Sequence, residues 1–172
     1  MESFELLKSL KAAEKALGFP SRQFSGAVCV NLLKEVMSEN GICTSEKDVF
    51  IQDVPVEVDL LIIRPGTKPL HGLLWNPDDV IAAFEVKKSG TISEKGTVKT
   101  NSDFGRIRTY HPHIKLFFIT FSEIRSKVAA IKRSDESFTF FIRRNGKYSD
   151  TGDYERFLSV ISDLKKDYSV SK

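Results

Sequence analysis

Two nearly continuous apolar runs constrain the fold of this chain more than any other feature. They are VEVDLLII, from Val56 to Ile63, and VIAAFEVK, from Val80 to Lys87. Short apolar runs bounded by turn residues predict strands buried on both faces, and such strands lie in the middle of a sheet that helices cover. Each run also carries charged residues at one end, where a buried strand would not need them.

Strand geometry predicts that these charged residues meet. Side chains alternate along a strand, so Glu57 and Asp59 share one face of the first strand, and Glu85 and Lys87 share one face of the second. If the strands pair antiparallel, the acidic start of the first lies beside the charged end of the second, and LLII lies beside VIAA in the core. We therefore expect Asp59, Glu85 and Lys87 to converge.

Two facing carboxylates oppose burial, because each raises the pKa of the other, and a divalent metal removes this conflict. Hard oxygen ligands with open positions suit Mg²⁺, for which Mn²⁺ can substitute, with water and a substrate phosphate oxygen as its other ligands. Lys87 can neutralise phosphate and, if its pKa is lowered, help to deprotonate or orient the attacking water. The alternative is an ordinary ion pair between Glu85 and Lys87 beside a strand-start Asp59.

The length and composition of the chain predict one globular domain over residues 1–172, with residues 1–20 as an N-terminal helical extension. Hydrophobic residues make up 41% and charged residues 28%, which excludes a disordered polymer or a membrane protein. Acids and lysines interrupt the first twenty residues, so we expect no signal peptide and a cytoplasmic location. Cys29 and Cys43 lack CxxC spacing and indicate neither a zinc site nor a disulfide.

Turn signals divide the chain into alternating helical and extended segments, which predicts a layered α/β domain with the apolar strands at its centre. The other predicted strands are short DVFIQD, IKLFFITF and SFTFFIRR. Helices are predicted over about Phe4–Leu17, Gly26–Glu39, the segment NSDFGRIRTY, the segment SEIRSKVAAIKR, and Asp153 to about Tyr168.

The charged residues of the two runs resemble the active-site motif of the PD-(D/E)xK nuclease superfamily, which has the restriction-endonuclease-like fold. The matching residues are Asp59 in VEVDLLII and Glu85-Val86-Lys87 in AAFEVKKSG. This resemblance implies a three-layer core in which helices flank a central mixed β-sheet. It also implies that Asp59 and Glu85, with the Val86 carbonyl as a third oxygen, bind Mg²⁺ and that Lys87 assists phosphodiester hydrolysis.

The resemblance further implies a catalytic glutamate on the helix before the sheet, for which Glu35 is the candidate and Glu39 the second choice. Two positions depart from the superfamily pattern. Val58 stands where the motif has proline. Some members carry Gln-x-x-x-Tyr on the helix after the lysine, and Arg106 and Tyr110 occupy that spacing here.

The charge of the chain permits nucleic-acid binding, with a net charge of +3 and a sequence pI of about 8.8. Basic residues concentrate after the second run, and the candidates for contacts with nucleic acid are Lys88, Lys99, Arg106, Arg108 and Tyr110. His111 and His113 offer a metal no third ligand at a recognisable spacing.

The function predicted from these residues is a metal-dependent nuclease, with DNA favoured over RNA on the resemblance alone. Cutting both strands of a duplex would favour a homodimer, because each chain carries a single candidate site. One alternative is a catalytically inactive nucleic-acid-binding or assembly module with the same fold. Another is an interaction protein that never contacts nucleic acid.

Overall fold

Eight strands form two sheets in this structure, a computed structural model that describes residues 1–89, 94–124 and 137–167 and their side chains except at 94–101, 123, 124 and 167. The bounds of the strands, in chain order, are β1 Val49–Ile51, β2 Glu57–Val58, β3 Leu60–Ile63, β4 Leu74–Trp75, β5 Val80–Lys87, β6 Lys115–Ile124, β7 Ser137–Arg144 and β8 Lys147–Asp150.

The larger sheet is mixed and has the strand order β3-β5-β6-β7-β8. Its three central strands, β5, β6 and β7, run parallel, whereas β3 and β8 pair antiparallel at the two edges. The smaller sheet has the order β2-β1-β4. The parallel strands require crossover connections, and the helix between β5 and β6 supplies one of them.

The predicted pairing of the two apolar runs is confirmed. Strand β3 pairs antiparallel with β5, and Leu60 lies opposite Phe84 while Ile62 lies opposite Ala82. The side chains of β3 are all buried, as the apolar composition of the run predicts. Strands β5 and β7 also have the bounds that their sequence patterns indicate.

The first run is not one continuous strand, which corrects the prediction for Val56–Ile63. Strand β2 pairs with β1 in the smaller sheet, and β3 pairs with β5 in the larger one. Asp59 lies at the bend between them, because its backbone bonds in two directions: its N–H donates to the Phe84 carbonyl at 3.2 Å, and its carbonyl accepts from the Asp48 N–H at 3.2 Å.

Within the described ranges, four α-helices accompany the sheets: α1 Ser3–Leu17, α2 Arg22–Glu39, α3 Glu94–Tyr110 and α4 Asp153–Asp167. Helix α2 begins before the predicted Gly26, because the Ser21 hydroxyl accepts from the Phe24 N–H at 3.2 Å and caps the helix. Of the helix predicted over SEIRSKVAAIKR, residues 122–124 belong to β6 instead, and the remainder lies outside the described residues.

The helices pack on both faces of the larger sheet and bury two separate groups of apolar side chains. One group joins α1, α2 and α4 to the sheet and includes Leu6, Leu33, Phe84, Phe140 and Phe157. The other joins α3 and the smaller sheet to the opposite face and includes Leu61, Trp75, Ala83, Phe104 and Ile107. The predicted three-layer α/β architecture is therefore confirmed. None of the helices in the described ranges has the length and apolar character needed to cross a membrane.

Candidate active site

The site begins with Asp59, whose carboxylate continues the hydrogen bonding between β3 and β5. Strand β3 starts at Leu60, so the edge of β5 beyond Phe84 has no backbone partner from β3. The Asp59 Oδ2 atom accepts a hydrogen bond of 2.6 Å from the Val86 N–H there. Because the N–H of β5 fixes this oxygen, the carboxylate holds one orientation at the end of the sheet.

Glu85 and Lys87 extend from the same face of β5 toward Asp59. The Lys87 Nζ atom lies 3.5 Å from Asp59 Oδ2 and contacts Glu85 Oε1. The two acidic side chains are about one-fifth exposed, at 22% and 21%, whereas the lysine is 44% exposed. The structure thus brings Asp59, Glu85 and Lys87 together at one partly buried point, as the strand pattern predicts.

The electrostatic environment keeps Lys87 positively charged. Burial alone would lower the pKa of its ammonium, but the charges of Asp59 and Glu85 and their hydrogen bonds outweigh burial and raise that pKa above the usual value. A lysine with a raised pKa is a poor proton acceptor at neutral pH. The arrangement therefore favours a role for Lys87 as a cation that screens negative charge. A role as a general base would need a lowered pKa.

The oxygen atoms at this point fit a hard divalent cation. Along a strand, the N–H and C=O groups of one residue point to the same side, so the Val86 carbonyl faces the edge where Asp59 binds the Val86 N–H. Asp59, Glu85 and the Val86 carbonyl are the kind of small oxygen set that Mg²⁺ completes with water. The described part of the chain contains no cluster of three or more His, Cys, Asp or Glu side chains suited to a metal.

A second ion pair lies next to this point and joins three elements. Glu14 belongs to α1, and its Oε1 atom contacts the Nζ atom of Lys88, the residue that directly follows β5. The same oxygen accepts a 2.5 Å hydrogen bond from the hydroxyl of Ser25 on α2. Burial would raise the pKa of Glu14, but the bonds from Lys88 and Ser25 more than offset burial and lower it. Glu14 is therefore ionised at neutral pH and holds Lys88 beside Lys87.

Asp59 and Lys87 of the first group, together with Glu14 and Lys88 of the second, line one open cleft of about 1490 Å³. Its walls are the end of α1, the α1–α2 turn, the first half of α2, residues 47–48, and the charged ends of β2 and β5. The basic residues lining it are Lys15, Arg22, Lys47, Lys87 and Lys88, and the acidic ones are Glu14, Asp48, Glu57 and Asp59. The cleft is thus strongly charged, with both signs present.

Several predicted site residues lie away from this cleft. Glu35 is exposed on α2, because the buried stripe of that helix consists of residues such as Leu33 and Val36, and it does not line the cleft. The second choice, Glu39, binds the N-terminal ammonium of Met1 instead. The structure therefore does not bring either glutamate together with Asp59.

The basic residues predicted to contact nucleic acid divide in the same way. Lys88 lines the cleft, whereas Arg106, Arg108 and Tyr110 are exposed on α3 and do not. Lys99 also belongs to α3, but its side chain lies outside the described residues. His111 and His113 do not face each other across a metal site: their Nε2 atoms lie 3.0 Å from the Gln52 carbonyl and 3.1 Å from the Pro77 carbonyl, respectively.

Sequence reasoning missed Glu14, because it treated residues 1–20 as an extension of the domain. Leu6, Leu7 and Leu10 of α1 are buried in the core, so this helix is packed against the rest of the protein. Glu14 follows Leu7 and Leu10 at helical spacing, and this placement on the apolar stripe is the signal that could have identified it.

Comparison with known proteins identifies the fold. No family model and no curated protein matches the chain. NucC from P. aeruginosa ATCC27853 in its cAAA-bound form is similar with a TM-score of 0.62 and 12% identity, over 95% of this chain and 88% of that one. The cAAA-bound form of NucC from E. coli MS115-1 gives a TM-score of 0.65 and 14% identity, over 95% and 87%.

The apo form of the same E. coli protein gives a TM-score of 0.55 and 14% identity, over 96% of this chain and 92% of that one. The similarity therefore extends over nearly the whole of both chains. The chain has the restriction-endonuclease-like fold of these structures.

Proposed function

We propose that this chain, with its restriction-endonuclease-like fold, is a metal-dependent nuclease that hydrolyses DNA phosphodiester bonds as an endonuclease. The observation that carries the proposal is the convergence of Asp59, Glu85 and Lys87 at the adjoining ends of β3 and β5, where Asp59 and Lys87 line a charged cleft. NucC, whose fold the chain shares, is a PD-(D/E)xK-type nuclease, which supports the same chemistry here.

Asp59, Glu85 and the Val86 carbonyl would hold Mg²⁺, or Mn²⁺ in its place. When bound, the ion would activate water and neutralise charge on the scissile phosphate. The hydrogen bond from Val86 to Asp59 orients the acidic oxygen in advance, so that binding requires little rearrangement of this side chain. Such preorganisation is a usual source of catalytic power.

Lys87 would act as a fixed cation beside the phosphate. Its raised pKa keeps the ammonium charged at neutral pH, so it can stabilise the negative charge that develops during hydrolysis or orient the attacking water by donating hydrogen bonds. Lys88, held by Glu14, would contact the DNA backbone on the same side. Contacts of this kind give affinity that depends on salt and not on sequence.

The nuclease test compares wild type with Glu85→Gln and Lys87→Met on supercoiled plasmid, linear duplex, single-stranded DNA and RNA, with Mg²⁺, Mn²⁺ or EDTA. Because two similar structures are cAAA-bound forms, each reaction is run with and without cAAA. We expect nicking of the plasmid that needs the metal and falls at least about a hundred-fold in both variants. Lys68→Met is the matched control, since Lys68 is exposed and does not line the cleft.

Equal inactivity of wild type and variants on every substrate, with and without cAAA, would contradict the catalytic proposal. Salt-dependent DNA binding under those conditions would then favour the inactive binding module. Cleavage of both plasmid strands in one encounter would support a homodimer, which light scattering of the purified protein can check directly.

A further inference from the structure

Phe19 lines the cleft and does not belong to either group of buried apolar side chains. Its side chain is 63% exposed, the largest value among the exposed large apolar residues in the described ranges. It lines the same cleft as Asp59 and Lys87. None of the ring–ring contacts recorded for the described residues involves it. A large aromatic surface left in water next to a charged cleft points to a ligand with an apolar face.

The turn that carries Phe19 is fixed at both ends. Gly18 adopts a left-handed φ of 81° and ends α1 with an N–H bond of 3.2 Å to the Lys15 carbonyl. On the other side, Ser21 caps α2, and its carbonyl accepts a 2.9 Å bond from the Ser25 hydroxyl. Pro20 restricts the backbone between these caps. The Phe19 ring is therefore presented from a preorganised position, which lowers the entropic cost of binding.

The surroundings of Phe19 suit a nucleic-acid strand more than a small molecule. Lys15 and Arg22, near it in sequence, line the same cleft, as does Lys88. The cleft volume of about 1490 Å³ exceeds the roughly 300–1,000 Å³ of ordinary ligand pockets. Aromatic side chains between basic ones are the usual arrangement for binding single strands, because the rings stack on bases while the cations contact phosphates.

We propose, on the premise that the chain is a DNA nuclease, that Phe19 stacks on a base of the DNA strand whose phosphate lies at Asp59, Glu85 and Lys87. Every base has an aromatic face, so this contact tolerates any sequence. It requires a base that is not stacked on both sides by its neighbours, as in a single strand or at an opened base step. Phe19 would thus favour DNA that has an unstacked base and would not discriminate between base sequences.

The first test measures the affinity for a dye-labelled single-stranded oligonucleotide by fluorescence anisotropy, in EDTA so that no cleavage occurs, at several salt concentrations. We expect Phe19→Ala to weaken binding roughly ten-fold without changing the slope of log affinity against log salt, because stacking releases no counterions. Lys88→Met should instead reduce that slope by about 0.7, the value for one phosphate contact on a single strand.

The second test introduces Trp as a reporter of stacking. Phe19→Trp should retain binding, and its fluorescence should be quenched by the oligonucleotide but not by an abasic oligonucleotide of equal length. Phe4→Trp is the matched control, since Phe4 is also exposed on the N-terminal side of the chain, at 48%, but does not line the cleft. The native Trp75 is buried and gives the background signal in both variants.

Three results would overturn the inference: a Phe19→Ala affinity within two-fold of wild type, a reduced salt slope in that variant, or equal quenching by the abasic strand. If wild type cuts and binds DNA while one of these is observed, the Phe19 contact fails and the nuclease stands. If Phe19→Trp shows base-dependent quenching but the wild type never cuts DNA, the nuclease fails and the contact stands. A wild type that binds no DNA overturns both.

Discussion

The charge balance around Lys87 determines what its neighbours can bind. Asp59 and Glu85 both contact the Lys87 ammonium, so these three side chains together carry one more negative than positive charge. The oxygens that contact the lysine, Asp59 Oδ2 and Glu85 Oε1, are also those that a metal would need. Lys87 therefore competes with a metal for these atoms, although the proposed reaction uses both cations.

This competition gives opposite expectations for two substitutions. Lys87→Met should bind Mn²⁺ more tightly than wild type, on the order of ten-fold, because it removes a positive charge beside the carboxylates. Glu85→Gln should bind Mn²⁺ more weakly, because it removes a ligand charge. Electron paramagnetic resonance of free Mn²⁺ measures both affinities. Were neither wild type nor Lys87→Met to bind Mn²⁺, the three residues would be an ordinary ion-pair cluster.

The two cysteines should differ in reactivity. Cys29 is buried in α2, and burial, followed by the charge of Glu14, raises the pKa of its thiol to about 12, so the reactive thiolate is scarce at neutral pH. Cys43 is partly exposed. A thiol-exchange reagent at about pH 8 should titrate one thiol rapidly in the folded protein and a second only after unfolding. Cys43→Ser should abolish the rapid phase, and two rapid thiols would contradict the burial of Cys29.

At the scale of elements, the sequence predicts strands better than it predicts where they join. The apolar runs indicate β3, β5 and β7, because a buried strand needs an uninterrupted series of large side chains. The break at Asp59 could not be predicted, since it depends on backbone bonds to the distant residues Asp48 and Phe84. The position of Glu14 was missed for a related reason: only tertiary packing brings α1 to Lys88.

Two glycines of the α1–α2 unit should respond oppositely to alanine. An added Cβ meets no atom within 4 Å at Gly18 or at Gly26, so packing does not distinguish them. Gly18 has a left-handed φ of 81°, and Gly18→Ala should cost about 1 kcal/mol. Gly26 lies within α2, and Gly26→Ala should stabilise the protein by about 0.5–1 kcal/mol. Urea denaturation measures both, and equal signs would contradict the assigned backbone geometry.

At the scale of the whole molecule, an aromatic cluster links α4 to the sheet. Phe157 of α4 is fully buried, and its ring lies 5.5 Å from that of Phe138, 5.6 Å from that of Phe140 and 6.4 Å from that of Phe84. Phe84 belongs to β5, and the candidate site lies at the C-terminal end of the same strand. Strand β5 therefore takes part in both the aromatic core and the candidate site.

Phe→Ala substitutions at one buried and one exposed position should differ in their effect on the free energy of unfolding. Phe157→Ala should lower the free energy of unfolding by about 3–5 kcal/mol, since it removes a buried ring and leaves a cavity. Phe19→Ala, in the exposed turn between α1 and α2, should change it by no more than about 0.5 kcal/mol. Thermal or urea unfolding monitored by circular dichroism measures both. A large loss in Phe19→Ala would mean that this ring supports the fold.

The hydrogen bond from the Val86 amide to Asp59 has a consequence for how this protein can be observed. The amide proton and the candidate ligand oxygen are directly joined, so anything that draws electron density from that oxygen must alter the magnetic environment of the proton. In a ¹⁵N-labelled sample, the Val86 resonance should therefore shift when an ion arrives, before any substrate is cut. The Val86 amide resonance therefore reports whether a metal ion occupies the site.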